Sequence, residues 1–292
     1  MAYIADQVPD GDLWKPTRLR TDKTADRSHS SELLAGLGKA IEADIVPRLV
    51  LAHRGIPAIV PVEHGKPPAD EVARFAEMIL SQDIGAACAA VQALRQQGKP
   101  LDVIYVDLLA PTAAHLRDLW NQDLCDFADV TLALWRLQQV LRDFSTEFRH
   151  EGEHAETGLR ALLVPAPGEK TELGFVMFGL VMVSEFFRRD GWDAWIEPDT
   201  QSTEFNGLIR SQWFDVVELL VSGDKKMDAL AERIRTIRRE SRNQGLGVMV
   251  CGPAFVEHPE LVLLVGADVA ANDPRQGAVQ AKKAVGLLAK GE

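Results

Sequence analysis

The feature that most limits the fold is a change of period at residue 159. From there on, apolar runs at Leu159–Val164, Trp192–Ile196, Phe214–Val221, Gly247–Val250 and a short Ala267–Ala270 alternate with helix-length segments. Those segments fall at about 173–189, 203–212, 226–243, 256–265 and 275–289. Continuous apolar runs, rather than alternating ones, belong to strands that are covered on both faces. Strands separated by helices are the pattern of a parallel sheet.

Right-handed crossovers then predict a five-stranded, flavodoxin-like (Rossmann-like) α/β domain of strand order 2-1-3-4-5. In such a sheet, ligands sit beyond the carboxyl ends of the strands, near the switch point. The loops that matter are therefore 165–174, 197–203, 222–225 and 251–255. The first contains neither GxGxxG nor GxxxxGKS/T, so neither a dinucleotide site nor nucleotide hydrolysis has support.

Upstream the period is helical. Phe127, Val130, Leu134, Leu137, Leu141, Phe144 and Phe148 recur in steps of three and four, the narrow seam of a bundle helix over about 126–149. Ser30 and Ser31 are N-caps for a helix to about His53, with Leu34, Leu37, Ile41, Ile45 and Leu49 on one face. Further helical patterns cover about 69–82, 84–97 and 101–121, the last interrupted by Pro111. The chain is thus expected to have a mobile arm over 1–30 and two domains, a helical bundle cap over 31–149 and an α/β domain over 158–290.

Charge and cysteine usage exclude several functions. A formal net charge of −11 lacks the positive field that phosphate binding needs, so direct DNA binding is not expected. Any role in gene control would run through a protein partner. No apolar run approaches the roughly 20 residues of a membrane helix, and the polar N-terminus has no secretory core, which predicts a cytoplasmic protein. Cys88, Cys125 and Cys251 show no CxxC spacing, so neither a disulfide framework nor a zinc site is expected. There is no nucleophile–base pair and no recognisable pair of carboxylates, so the chain is not expected to be an enzyme.

A helical bundle followed by a five-stranded α/β domain resembles the cobalamin-binding module of methyltransferases and photoreceptors. More narrowly, several strings resemble the AerR/PpaA-type antirepressors of photosynthesis genes. In the cap they are Val46-Pro47-Arg48-Leu49-Val50-Leu51-Ala52-His53, Leu119-Trp120, Asp126-Phe127-Ala128-Asp129-Val130-Thr131 and Trp135-Arg136-Leu137-Gln138. Phe187-Arg188-Arg189-Asp190-Gly191-Trp192 and Gly266-Ala267-Asp268 continue the series, so the resemblance covers roughly 35–290. It implies a tetrapyrrole sensor that binds cobalamin, or heme in some relatives, and controls transcription by contacting a repressor protein.

The resemblance also implies a cofactor site, and three of its elements depart from the family pattern. The D-x-H-x-x-G motif that follows the first strand corresponds to Glu169-Lys170-Thr171-Glu172-Leu173-Gly174, with Thr171 where the cobalt-ligating histidine stands. A hydroxyl is a poor ligand beside a neutral imidazole. The S-x-L element corresponds to Ser222-Gly223-Asp224, and the glycine pair after strand four to Cys251-Gly252, with Pro253 next. A side chain at Cys251 would crowd a nucleotide tail passing close to the backbone. Trp120 and Trp135 are the cap residues expected over the ring, Trp135 being the better placed to face the α/β domain because it falls one residue past the seam.

Substitute metal ligands are His53 and Cys125; Cys251 is a third thiol to weigh. Three occupancies stay open: cobalamin without the histidine, another tetrapyrrole (heme or a bilin), or no cofactor. Three functions stay open with them: an antirepressor-type sensor, a corrinoid methyl carrier of a methyltransferase, and a cofactor-free interaction module. A homodimer is compatible with each. The seven basic residues within Lys225–Arg242 read either as a solvated helix face or as a contact surface for an acidic partner.

Overall fold

The computed structural model describes residues 69–81, 83–152, 155–169, 174–222, 227–271 and 273–288. The expected arm over 1–30, the first cap helix, His53, Thr171 and Gly223 lie outside them. The described cap begins with α1 (Ala69–Leu80) and α2 (Ile84–Gln96), the latter capped by Asp83, whose carboxylate accepts the Ala86 N–H at 2.8 Å. Then come α3 (Leu101–Ile104), a π turn (Tyr105–Leu109) and α4 (Ala110–Asn121). The sequence predicts an interruption at Pro111. Instead the backbone stays in the right-handed helical region from Ile104 to Ala110, and the proline falls in the first turn of α4. A proline offers no N–H to the turn before it and presses on that turn, and the wider π turn just upstream absorbs both effects.

Helix α5 (Phe127–Glu151) starts in a reciprocal capping box. The Asp126 carboxylate accepts the Asp129 N–H at 2.8 Å, and the Asp129 carboxylate accepts the Asp126 N–H at 3.3 Å. Its seam is buried from Val130 to Phe148. Phe127, assigned to the same seam by spacing, is 54% exposed, because it is the helix's first residue and the cap core begins one turn later.

The second half is β1 (Arg160–Pro165), α6 (Phe175–Arg189), β2 (Asp193–Ile196), α7 (Thr203–Ser211), β3 (Val216–Leu220), α8 (Met227–Glu240), β4 (Gly247–Cys251), α9 (Pro253–Glu257), α10 (Leu261–Leu264), β5 (Val269–Ala271) and α11 (Pro274–Leu288). All four strand pairs are parallel, in the order β2-β1-β3-β4-β5. The fold is thus the expected helical cap on a five-stranded flavodoxin-like sheet. One element differs. The single helix predicted over 256–265 is two short ones, because Pro259 follows His258, whose φ of −131° and ψ of 74° leave the helical region.

Side chains alternate across the sheet. Leu162 and Val164 of β1 pack on the α7/α8 side, and Ala161 and Leu163 on the α6/α11 side. The cap core is not self-contained, since Phe178, Met182 and Phe186 of α6 belong to it. Tyr105, Phe148 and Phe186 form an aromatic trio, with Phe148 4.6 Å from Tyr105 and 5.0 Å from Phe186 between ring centroids. Such pairs contribute about 0.5–1.5 kcal/mol each beyond their burial. The buried Tyr105 hydroxyl donates to the Leu141 carbonyl at 3.2 Å.

Candidate functional site

Strands β1, β3 and β4 finish level with one another. The Ala166 N–H reaches the Leu220 carbonyl at 2.8 Å, and the Val221 N–H reaches the Cys251 carbonyl at 2.7 Å, so the ladder continues to the last residue of each strand. Beyond it the chain is tied twice. Glu169, after β1, accepts the Ser222 N–H at 2.8 Å and also the Ser222 hydroxyl. Gly252 turns with φ +153°, and a Cβ there would lie 2.0 Å from the Val221 carbonyl oxygen, so no side chain fits at that position. Gly174, with φ +78°, turns the chain into α6.

Above these ends opens a cavity of about 930 Å³. Its roof is one face of α4, where Ala110, Ala113, Ala114, Arg117, Trp120 and Asn121 recur at helical spacing. The small residues leave the space; Trp120 bounds it at the far end of the helix, and Arg117 and Asn121 bring polar groups to it. The Arg117 guanidinium lies over the Phe175 ring at 5.0 Å. The floor combines the β1 loop through Glu169, Gly179 and Val183 of α6, Ser222, and Cys251-Gly252-Pro253.

Of the site residues named from sequence, the cavity brings together Trp120, Glu169, Ser222, Cys251, Gly252 and Pro253. Gly174 stands at its edge, as the N-cap of α6, whose first residues line it. Trp135 does not line it and is 52% exposed. Cys125 lies against the cap core, away from the cavity lining, and burial beside Asp129 and Asp126 pushes its thiol up, which keeps it protonated. The free cysteines form no disulfide. No cluster of metal-ligating side chains occurs among the described residues.

Glu218 is a site feature that the sequence reading passed over. It lies in the centre of β3, 2% exposed, on the α6/α11 side with Val216 and Leu220. The Cys251 thiol donates to its carboxyl group, and its Oε2 has no hydrogen-bond partner. Burial pushes its pKa up to about 8 against an ordinary 4.5. Burial, then Glu218 and Asp273, push the Cys251 thiol far up, so both groups are protonated at neutral pH.

The arginines of α8 are already engaged within the fold. Arg238 donates to the Leu246 and Gly266 carbonyls and to Asp268, and Arg233 stacks on Phe205 at 4.4 Å. Arg235 pairs with Glu232, and Arg239 and Arg210 share Glu240.

The cavity thus combines an alanine face with polar groups at Arg117, Asn121 and Ser222, and behind its floor lies a buried acid with an unmade hydrogen bond. No protein-family model matches the chain. A Rhodobacter capsulatus protein, described as an uncharacterized 20.5 kDa protein in the bchF-crtJ intergenic region, is 24% identical over 174 residues, covering 60% of this chain and 88% of the relative. Among solved structures, the monomethylamine corrinoid protein of Methanosarcina barkeri matches 75% of this chain and 98% of its own, with a TM-score of 0.53 at 14% identity. That likeness shows a shared fold. A cobalamin-binding protein from Desulfitobacterium hafniense matches 73% of this chain and 98% of its own at 13% identity, with a TM-score of 0.36.

Proposed function

We propose that this protein is a corrinoid-type tetrapyrrole sensor, without catalytic activity of its own, that regulates transcription by binding a repressor protein. The observation that carries the reading is the cavity of about 930 Å³ between the alanine face of α4 and the ends of β1, β3 and β4. The fold shared with the corrinoid protein of M. barkeri and the relative from the bchF-crtJ region support it. Ala110, Ala113 and Ala114 would lie against one face of the ring, with Trp120 at its edge. Arg117 and Asn121 would hold its polar substituents. A bound corrinoid would supply a cobalt centre that responds to light or redox state.

The cap is the responsive part. Its α4 wall continues from the π turn carrying Asp107, and Asp107 faces Arg275 of α11 at 4.0 Å. Filling the cavity favours the arrangement of α4 that best contacts the ring. The ligand shifts the cap only by its difference in affinity between arrangements, and the repressor reads the surface that results.

The test is an absorption titration of the purified protein with hydroxocobalamin, hemin and biliverdin. The expected result is a saturable spectral change with a corrinoid at one equivalent, with quenching of tryptophan fluorescence. No change with any of the three overturns the reading. Co-purification with and without the bound ligand tests the partner, and equal recovery of a repressor in both conditions removes the sensing role. Methyl transfer from a methylamine donor to the bound corrinoid would instead make the chain a methyl carrier.

A further inference from the structure

Glu218 interrupts the apolar strand Val216-Val217-Glu218-Leu219-Leu220 at the middle of the sheet. Its register neighbours are Leu163 on β1 and Met249 on β4, neither of which offers a side-chain hydrogen bond. One carboxyl oxygen accepts from the Cys251 thiol, and Oε2 has no partner. Asp273, which acts on Cys251, is held by Arg275 through both of its oxygens. A leucine at this position would satisfy the core, and the acid leaves a polar atom in it unmade. Cys251 and Leu220, the latter one pleat above Glu218, line the cavity, while Glu218 itself is buried behind them and does not.

We propose that Glu218 is a specificity-determining hydrogen-bond donor beneath the cavity, and that it takes an acceptor atom of the bound ligand, an amide carbonyl or an aromatic ring nitrogen. This rests on the functional reading above and names the chemistry by which the floor recognises its ligand. Oε2 is wholly buried and Cys251 touches both Glu218 and the cavity, so a ligand acceptor completes the pair by displacing the Cys251 side chain.

The experiment titrates wild type, Glu218→Leu and Glu218→Gln with two probes: hydroxocobalamin, which carries both amides and a pendant base, and cobinamide, which carries amides but no base. Glu218→Leu is expected to weaken binding about ten-fold, the worth of one hydrogen bond to a buried group. Glu218→Gln, whose amide N–H still donates, is expected to stay near wild type. Weakening for both probes identifies a peripheral amide as the acceptor; weakening for hydroxocobalamin alone identifies the ring nitrogen. Infrared difference spectra of the full chain supply a readout that a merely structural role would not move. The carbonyl band of the protonated Glu218 acid, absent in Glu218→Gln, shifts when the probe binds. Unchanged affinity in Glu218→Leu, or an unmoved band in the loaded wild type, overturns the proposal while leaving the functional reading intact. Failure of wild type to bind either probe overturns both.

Discussion

Glu218 shows how one side chain sets a pH dependence for the whole fold. Below about pH 4.5 the carboxyl is protonated in the folded and the unfolded chain alike. Between 4.5 and about 8 the unfolded chain releases the proton and the folded one keeps it. The unfolded state then binds fewer protons, so this group's contribution to stability falls as pH rises, and it is gone above the folded value. The urea midpoint is therefore expected to fall from pH 5 to pH 8, and Glu218→Gln is expected to flatten that slope. An identical slope in the variant would mean the acid is already ionised inside the sheet. Gly252 makes a second residue-scale case. With φ at +153° and the Val221 carbonyl 2.0 Å from any added Cβ, Gly252→Ala forces the β4 turn away from β3. The expected cost is at least about 1–3 kcal/mol, read as a lower melting temperature. Both residues stand in the sequence, but only one was legible there. Gly252 is flagged by the resemblance to the glycine pair after strand four, whereas the burial of Glu218 follows only once β3 is known to be the central strand, with β1 and β4 on either side.

At the scale of elements, helix ends and helix faces carry separate roles. Asp126→Ala removes the carboxylate of the capping box while leaving the α5 seam intact, and is expected to cost about 1 kcal/mol in thermal or urea unfolding. Ala114→Phe acts differently. Ala114 is exposed on the cavity face of α4, so a phenyl group there fills the slot rather than the core. Stability should move by no more than about 0.5 kcal/mol, while corrinoid uptake in the absorption titration is lost; full uptake would put the ligand elsewhere. The element pattern was well written in the sequence. Every strand lies within a residue or two of an apolar run, and the α5 seam is buried from Val130 onwards. Two departures have backbone causes that periodicity does not carry. Pro111 is accommodated by a π turn rather than breaking its helix, and Pro259 divides a helix that the spacing joined. The candidate site was half legible. Position relative to the strand ends picked out the loops, and the resemblance to the cobalamin-binding module singled out Glu169, Ser222 and Cys251-Gly252-Pro253 within them. The roof was harder, because alanines at 110, 113 and 114 carry no chemistry, and their spacing becomes informative only when α4 is seen to face a gap. Spacing put Trp135 ahead of Trp120 as the residue facing the α/β domain, but Trp120 lines the cavity and Trp135 is exposed on the outside of α5.

At the scale of the whole molecule, the cap and the sheet share a helix. Phe178, Met182 and Phe186 of α6 are buried in the cap core, while Val176, Leu180, Val183 and Phe187 of the same helix are buried against the sheet. A helix that is apolar on both faces cannot lose one partner without exposing a large hydrophobic surface, so cap and sheet are coupled through it. Unfolding of the described unit is accordingly expected as one transition, with tryptophan fluorescence, to which Trp120 and Trp135 of the cap and Trp192, Trp195 and Trp213 of the α/β half contribute, and far-ultraviolet circular dichroism falling together. Phe186→Ala removes a ring from the Tyr105–Phe148–Phe186 trio and should cost about 3–5 kcal/mol. The decisive feature is that the loss should appear in both probes at once, although the ring sits only on the cap side of α6. Ligand then acts on the same single equilibrium. At a hundred times its dissociation constant it adds about 2.7 kcal/mol, enough to recover most of the smaller loss and to move both probes upward in step. Two separated transitions, with the ligand shifting only one, would mean that α6 belongs energetically to one layer. The cap could not then report what the floor of the cavity has bound.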